Sequence, residues 1–331
     1  MRRSIALLVL LLGLALAWVR ADQVLIVPDD TLHFDPLPLP PEEKLVAHLG
    51  PFKLERAWRM RLGSWLFGGY SALVPLPGGE LLAISDIGRY LVFDPPGAKA
   101  KPRAQYGVLL HAERGDKRNA DVESATRDPR TGQIWLGLEL KNQIMRLGPD
   151  WREQRRAEPR AMGDWGPNSG AEAMVRLADG RFIVLREGSE HTLRPARHEG
   201  LLFEADPTLA PDAAKRFVFE GPGSFDPVDM AQMPDGRVLV LMRTLAWPFP
   251  MRFAGRIAIG DPAQIRPDGV WKVMEVARLA STLPVDNFEG LAIVPRKDGK
   301  LTVWLISDDN QAKLQETLLW QLTVDPQDLP R

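Results

Sequence analysis

Five segments of this 331-residue chain share one pattern: a small or acidic start, a short apolar run, a Pro/Asp/Gly turn and a second apolar run. They occupy residues 69–86, 122–139, 171–187, 228–243 and 288–308. Superposing them puts Ser71, Glu123, Glu172, Asp229 and Glu289 at one position, at intervals of 52, 49, 57 and 60 residues. Self-similarity at such a period marks a repeat architecture, in which each unit buries its apolar faces only against its neighbours. A third strand-like run follows each pair, at 90–94, 143–147, 200–204, 255–259 and 318–322, and looser fourth runs occur at 215–219 and 271–276. Four antiparallel strands per unit, punctuated by turn residues, predict an all-β chain folded as a β-propeller. The last repeat lacks a fourth strand, whereas residues 53–60 supply one ahead of the first repeat. Pairing the two closes the ring with an N-terminal strand and removes its open edges. Five blades are expected on this register; a sixth built from residues 23–50 is the alternative.

The flanking segments set the domain boundaries. Arg2 and Arg3 precede an unbroken apolar run at residues 5–18, with small residues at Ala15, Ala17 and Ala21. That is the pattern of a secretory signal, and the run is short of the roughly 20 residues a membrane span needs. Residues 1–21 therefore read as a signal peptide, with an uncleaved anchor as the alternative. Residues 22–53 read as an N-terminal arm, 54–325 as the propeller and 326–331 as a tail. The expected location is the periplasm or the exterior of a bacterium, with no membrane span once the signal is cleaved. Lysine and arginine total 42 against 43 aspartate and glutamate. With no basic tract in the sequence, a nucleic-acid partner is not expected. Cysteine is absent, which excludes disulfides, thiolate metal sites and a cysteine nucleophile.

The repeated polar position carries the chemistry. The first strand of a propeller blade lines the central channel, so Ser71, Glu123, Glu172, Asp229 and Glu289 should converge near one mouth. Carboxylates gathered there repel one another and take up protons unless a cation neutralises them. An oxygen-lined site, most naturally for Ca²⁺, is one resolution, with Glu123, Glu172, Asp229 and Glu289 as ligands. The other is structural: the side chains accept hydrogen bonds from backbone amides and tie the blades together. A second polar set ends the second strands: Asp86, Glu139, Glu187, Arg243, and Asp308, Asp309 and Asn310 within Ser-Asp-Asp-Asn. These fit a substrate rim, or for the last run a solvated turn. Arg243 suits an anionic group or a salt bridge to its acidic neighbours. The five histidines show no metal-ligand spacing and read as surface or loop residues, with His191 and His198 in an Arg-rich segment able to cap the channel. No Gly-x-Ser-x-Gly elbow, His-Glu-x-x-His or Walker loop is present.

Asp286-Asn-Phe-Glu-Gly-Leu-Ala292, the downstream Ser307-Asp-Asp-Asn310 and Gln315-Glu-Thr317 together resemble the family known as "esterase-like activity of phytase". The likeness runs from about Leu54 to Val324 and includes Leu82-Ala-Ile-Ser-Asp86 and Asn168-Ser-Gly-Ala-Glu-Ala173. The second repeat departs from it, with Gly137-Leu-Glu139 where Ser-Asp-Glu is usual, and Gln311 replaces a common aromatic. The resemblance implies an exported propeller that hydrolyses a small phosphoester or carboxylic ester with help from a metal. It implies Glu289, Asp308 and Asp309 as catalytic groups, with Ser71, Asp86, Glu139, Glu187, Arg243 and Asn310 at the rim. The alternative is a propeller that binds a ligand or envelope partner without catalysis.

Overall fold

The computed structural model describes residues 31–98, 103–111, 120–166, 169–188, 197–246 and 252–331. The expected signal peptide, and His191 with most of its Arg-rich segment, lie outside those residues. The described strands form five sheets, one per repeat, so the ring has five blades. Blade 1 holds Tyr70–Pro75, Leu81–Ser85, Arg89–Phe93 and Ala104–Val108 from the channel outward, and blade 2 repeats this with Val122–Arg127, Ile134–Leu138, Gln143–Leu147 and Glu153–Ala157. Blade 3 begins with Ala171–Arg176 and blade 4 with Asp226–Gln232. Blade 5 holds Asn287–Pro295, Leu301–Asp308 and Leu318–Val324, and then takes Lys53–Arg61 from the N-terminal side.

Inner strands such as Leu81–Ser85 and Ile134–Leu138 are buried at every position. They read as continuous apolar runs because each sheet is covered on both faces by its neighbours. The core is accordingly divided into five layers, one at each interface between blades. Trp135 and Met174 share the layer between blades 2 and 3, for example, and Met230 and Val175 that between blades 3 and 4. The closing strand does the same. Lys53–Arg61 runs antiparallel to Leu318–Val324, from Lys53 opposite Thr323 to Arg59 opposite Leu318. It buries Leu54, Ala57, Trp58 and Met60, and Trp58 stacks on Trp304 at 6.3 Å.

The five-blade expectation holds over its six-blade alternative, and one strand reading is corrected. Within the described residues 31–50, His33–Pro36 adds a fifth strand outside Lys53–Arg61 and Glu42–Leu49 is a helix, so these residues extend blade 5 and brace it. The run at 271–276 is shared between two blades. Val270–Lys272 pairs in parallel with Lys215–Glu220 of blade 3, and Met274–Leu279 forms the outer strand of blade 4. Trp271 drives the split, since its ring packs on Phe217 and Phe219 of blade 3. Val276, Ala277 and Leu279 instead face the layer between blades 4 and 5.

Ring closure should be indispensable. A chain lacking residues 22–61 leaves the Leu318–Val324 edge unpaired and Trp304 uncovered. The expected outcome is loss of the near-ultraviolet circular dichroism signal and of a cooperative thermal transition; a native-like melt would contradict this role for the strand.

Candidate functional site

Each innermost strand carries one irregularity in its ladder, and the repeated polar position explains it. Pairing skips Ser71 in blade 1, Glu123 in blade 2, Glu172 in blade 3 and Glu289 in blade 5. A bulge releases one residue from the ladder and re-aims its side chain. In blade 4 the skipped residue is Val228, so Asp229 falls back into the ladder opposite Leu241. The ends of the second strands lie beside these bulges: Tyr70 pairs with Ser85, Val122 with Leu138, Ala171 with Arg186, Asp226 with Arg243 and Asn287 with Asp308. The two polar sets of the sequence therefore meet at one mouth.

There they form an acidic well around one guanidinium. Oxygens of Asp121, Glu123 and Glu139 lie within 4.8 Å of one another, and so do those of Glu139, Glu172 and Glu187. Glu139 belongs to both groups. Arg243 closes the opposite side, with Nε 3.0 Å from Glu289 Oε1 and Nη2 3.4 Å from Glu187 Oε1. Glu289 also accepts a hydrogen bond from Asn287 Nδ2 at 2.7 Å. Asp308 is buried opposite Asn287, within electrostatic reach of Glu289 and Asp86.

The electrostatics follow from many carboxyls gathered around that cation in a confined space. Burial, then like charge from Asp86, Glu289, Glu139 and Asp121, pushes Glu123 well above the carboxylate range. Burial with Glu187, Glu123 and Glu139 does the same to Glu172, and burial with Glu289 and Asp86 to Asp308. Glu139 is pushed up to about 7, chiefly by burial, although hydrogen bonds to Glu172 and the Gly170 amide oppose the rise. Glu187 and Glu289 are raised by burial against the pull of Arg243. Burial alone would weaken the Arg243 cation, but Glu289, Glu187, Glu172 and Glu123 hold it firmly protonated.

Not every sequence candidate joins the well. Ser71 donates from Oγ to Val122 O at 2.5 Å, a bond from blade 1 to blade 2. Asp229 accepts from the Met230 amide at 2.8 Å and from the Leu291 amide of blade 5 at 2.6 Å. Both positions thus tie blades together. Asp309 accepts from the Gly69 and Gln311 amides and from Thr317 Oγ1, at 3.1, 2.9 and 2.9 Å, which clasps two loops. It lines a separate cleft of about 480 Å³ with His33, Arg59 and Arg61. Asn310 is exposed; its side-chain amide donates to Gln315 Oε1 at 2.7 Å, and its backbone amide donates to Asp308 Oδ1 at 2.6 Å. His198 is not a surface residue: it is buried on Arg197–Phe203, with Nε2 3.3 Å from Phe225 O.

Asp121, Asn287 and Arg89 belong to the site or its rim, although the repeat alignment does not single them out. Asp121 and Asn287 stand two residues before the bulged glutamates; Asp121 lies beside Glu123 and Glu139, and Asn287 donates to Glu289. The departure at Gly137 also has a cause. A Cβ there would lie 2.4 Å from Ser124 Oγ and 2.8 Å from Ala171 O, the pair joined by a bond between blades 2 and 3. A Cβ on Gly170 would lie 2.5 Å from both Cα and Cγ of Glu139, so this glycine lets Glu139 settle between the two carboxylate groups.

The donor set is all oxygen, which fits a hard divalent cation and gives no foothold for softer metals. The chain matches the sequence family "Phytase-like: Esterase-like activity of phytase" over residues 66–311 and belongs to it. No curated protein matches. Similar solved structures include the luciferin-regenerating enzyme, 14% identical over 80% of this chain and 83% of that one, with a TM-score of 0.43. A hypothetical protein from Leishmania major is 12% identical over 84% of this chain and 86% of that one, with a TM-score of 0.45. A putative oxidoreductase (glucose dehydrogenase) from Thermus thermophilus is 13% identical over 81% of this chain and 99% of that one, with a TM-score of 0.40.

The raised carboxyls make stability depend on pH in a defined direction. Glu139, near 7, and Asp286, raised mainly by burial to about 6, hold protons in the folded state that the unfolded chain releases near pH ~4. Their stabilisation is complete below that value and is lost as pH rises through 7. With chelator present, the melting temperature should fall from pH 5.5 to pH 8, and Glu139→Gln should flatten part of that slope. A profile that is flat, or that rises, would refute the strained carboxylate well.

Proposed function

We propose that this member of the phytase-like family is an exported hydrolase of a phosphoester or carboxylic ester that works with a divalent cation, Ca²⁺ first among candidates. The observation that carries this reading is the pair of carboxylate groups sharing Glu139, set beside the half-buried cation Arg243. Like charges so close are tolerated only with protons or a cation among them. Asp121, Glu123, Glu139, Glu172 and Glu187 are the residues that would hold the ion. Bound there, the cation would polarise the ester oxygen and acidify a water molecule.

The chain's own groups supply the rest. Arg243 faces the well with donors suited to an anionic oxygen of the substrate. Glu289 is fixed by Arg243 and Asn287 and is the candidate base, taking a proton from the attacking water. The water oxygen bonds to phosphorus or to the acyl carbon, the ester bond to the alcohol oxygen breaks, and the alcohol leaves with a proton. Asp308, whose proton affinity is raised by burial and then by Glu289 and Asp86, is the candidate donor of that proton. Asp309 supports the mouth by clasping its loops rather than by touching substrate. Export rests on the N-terminal segment; no helix among the described residues is long and apolar enough to cross a membrane. The blade-to-blade bonds of Ser71 and Asp229 favour a second reading, a binding propeller whose polar ring is purely structural.

Chelation should abolish turnover of aryl phosphates or aryl esters, and added Ca²⁺ should restore it. Glu289→Gln should lower kcat by roughly 10²-fold or more, the usual contribution of a general base, with the melting temperature retained. Elemental analysis of purified protein should find a divalent ion that Glu139→Gln loses. Protein free of metal and inactive on such a panel with Ca²⁺ present would favour the binding propeller.

A further inference from the structure

One large aromatic side chain stands open to solvent beside the well. Trp65 is 62% exposed, although tryptophan is among the costliest side chains to leave in water. It lies in the segment between the closing strand and blade 1, and that segment is pinned at several points. Ser64 Oγ accepts from the Leu66 amide at 3.2 Å, and Phe67 meets Tyr70 edge-on at 5.5 Å. The Gly69 amide is held by Asp309 at 3.1 Å, and Gly69 O accepts from the Asp86 amide at 2.9 Å.

Arg89 fixes the indole itself. Its guanidinium stacks 4.7 Å from the ring centre, and its Nη1 donates to the Trp65 carbonyl oxygen. Arg89 is almost fully buried and draws on Asp86 as its acidic neighbour; Asp86 in turn acts on Glu123, Glu289 and Asp308. The indole is therefore held at the mouth where Gly69 binds the Asp86 amide and Tyr70 pairs with Ser85, the end of the channel that carries the candidate catalytic groups. One indole face is taken by Arg89, and the ring's large exposure leaves the other free. A ring held in advance loses little freedom on binding, which is what makes a fixed aromatic an effective anchor.

We propose that Trp65 is a specificity-determining residue, its open face stacking on a planar aromatic group of the ester while the ester bond enters the carboxylate well. This rests on the mouth being an ester-binding site. Arg89 acts as a positioning residue that holds the indole and touches no substrate.

The test uses the whole exported chain with Ca²⁺ and two arms. In the first, calorimetry compares phenylphosphonate with methylphosphonate, neither of which is hydrolysed. The wild type should bind the phenyl compound more tightly, Trp65→Ala should lose that preference by about three- to tenfold, and Trp65→Phe should keep most of it. In the second, the ratio of KM for ethyl ester to KM for naphthyl ester should fall by a similar factor in Trp65→Ala. Equal affinity of the wild type for both phosphonates, or no binding of either, overturns the assignment of Trp65. So does a preference unchanged in Trp65→Ala. Phenyl selectivity that depends on Trp65, in a protein that turns over no ester, would instead overturn the hydrolase reading while upholding the aromatic subsite.

Discussion

Everything in this molecule depends on both faces of every blade being covered. A sheet whose strands are apolar on both sides cannot stop at an edge, because the last blade would leave a core layer in water. Closing the circle solves this, and the pairing of Lys53–Arg61 with Leu318–Val324 is the contact that closes it. Burying Leu54, Trp58 and Met60 there is worth on the order of 1.5–3 kcal/mol for each side chain. The strand earliest in the ring is thus held by the latest, and the outer strand His33–Pro36 and helix Glu42–Leu49 brace the seam.

Closure also creates the site. Five inner strands crowd a narrow channel, and each relieves its ladder with one bulge near the same mouth. Where the bulged residue is a glutamate, it turns toward the channel; where it is Val228, the neighbouring carboxylate of Asp229 is drawn into backbone hydrogen bonds. Blade 4 contributes Arg243 instead of an acid to the rim. Burial first, and then like charge from the neighbouring carboxyls that Arg243 only partly offsets, raises the proton affinities of Glu123, Glu172 and Asp308. A cation relieves the same imbalance, which links the fold to the proposed chemistry through charge.

Much of this is legible in the residues. The repeat register locates the inner strands, their turns and the closing strand, because alternation of apolar runs and turn residues is a local property. The run at 271–276 reads as one strand since Trp271 and Val276 look alike in sequence, while only the packing of Trp271 on Phe217 and Phe219 assigns it to blade 3. His198 likewise follows an Arg-rich stretch that reads as surface, yet sits against Phe219 inside blade 3. Asp121 is overshadowed in the alignment by Glu123, two residues later.

The repeat, the blade strands, the closure and the family can all be read from the residues in order, since each rests on short-range patterns that survive in a linear string. Which carboxylates meet is set by the folded ring. A shift of the bulge by one residue sends Asp229 to a backbone amide and Glu289 to Arg243, although the two align in the repeat. The aiming of a side chain depends on ladder register across strands, and register is fixed by packing between blades rather than by any residue's own neighbours.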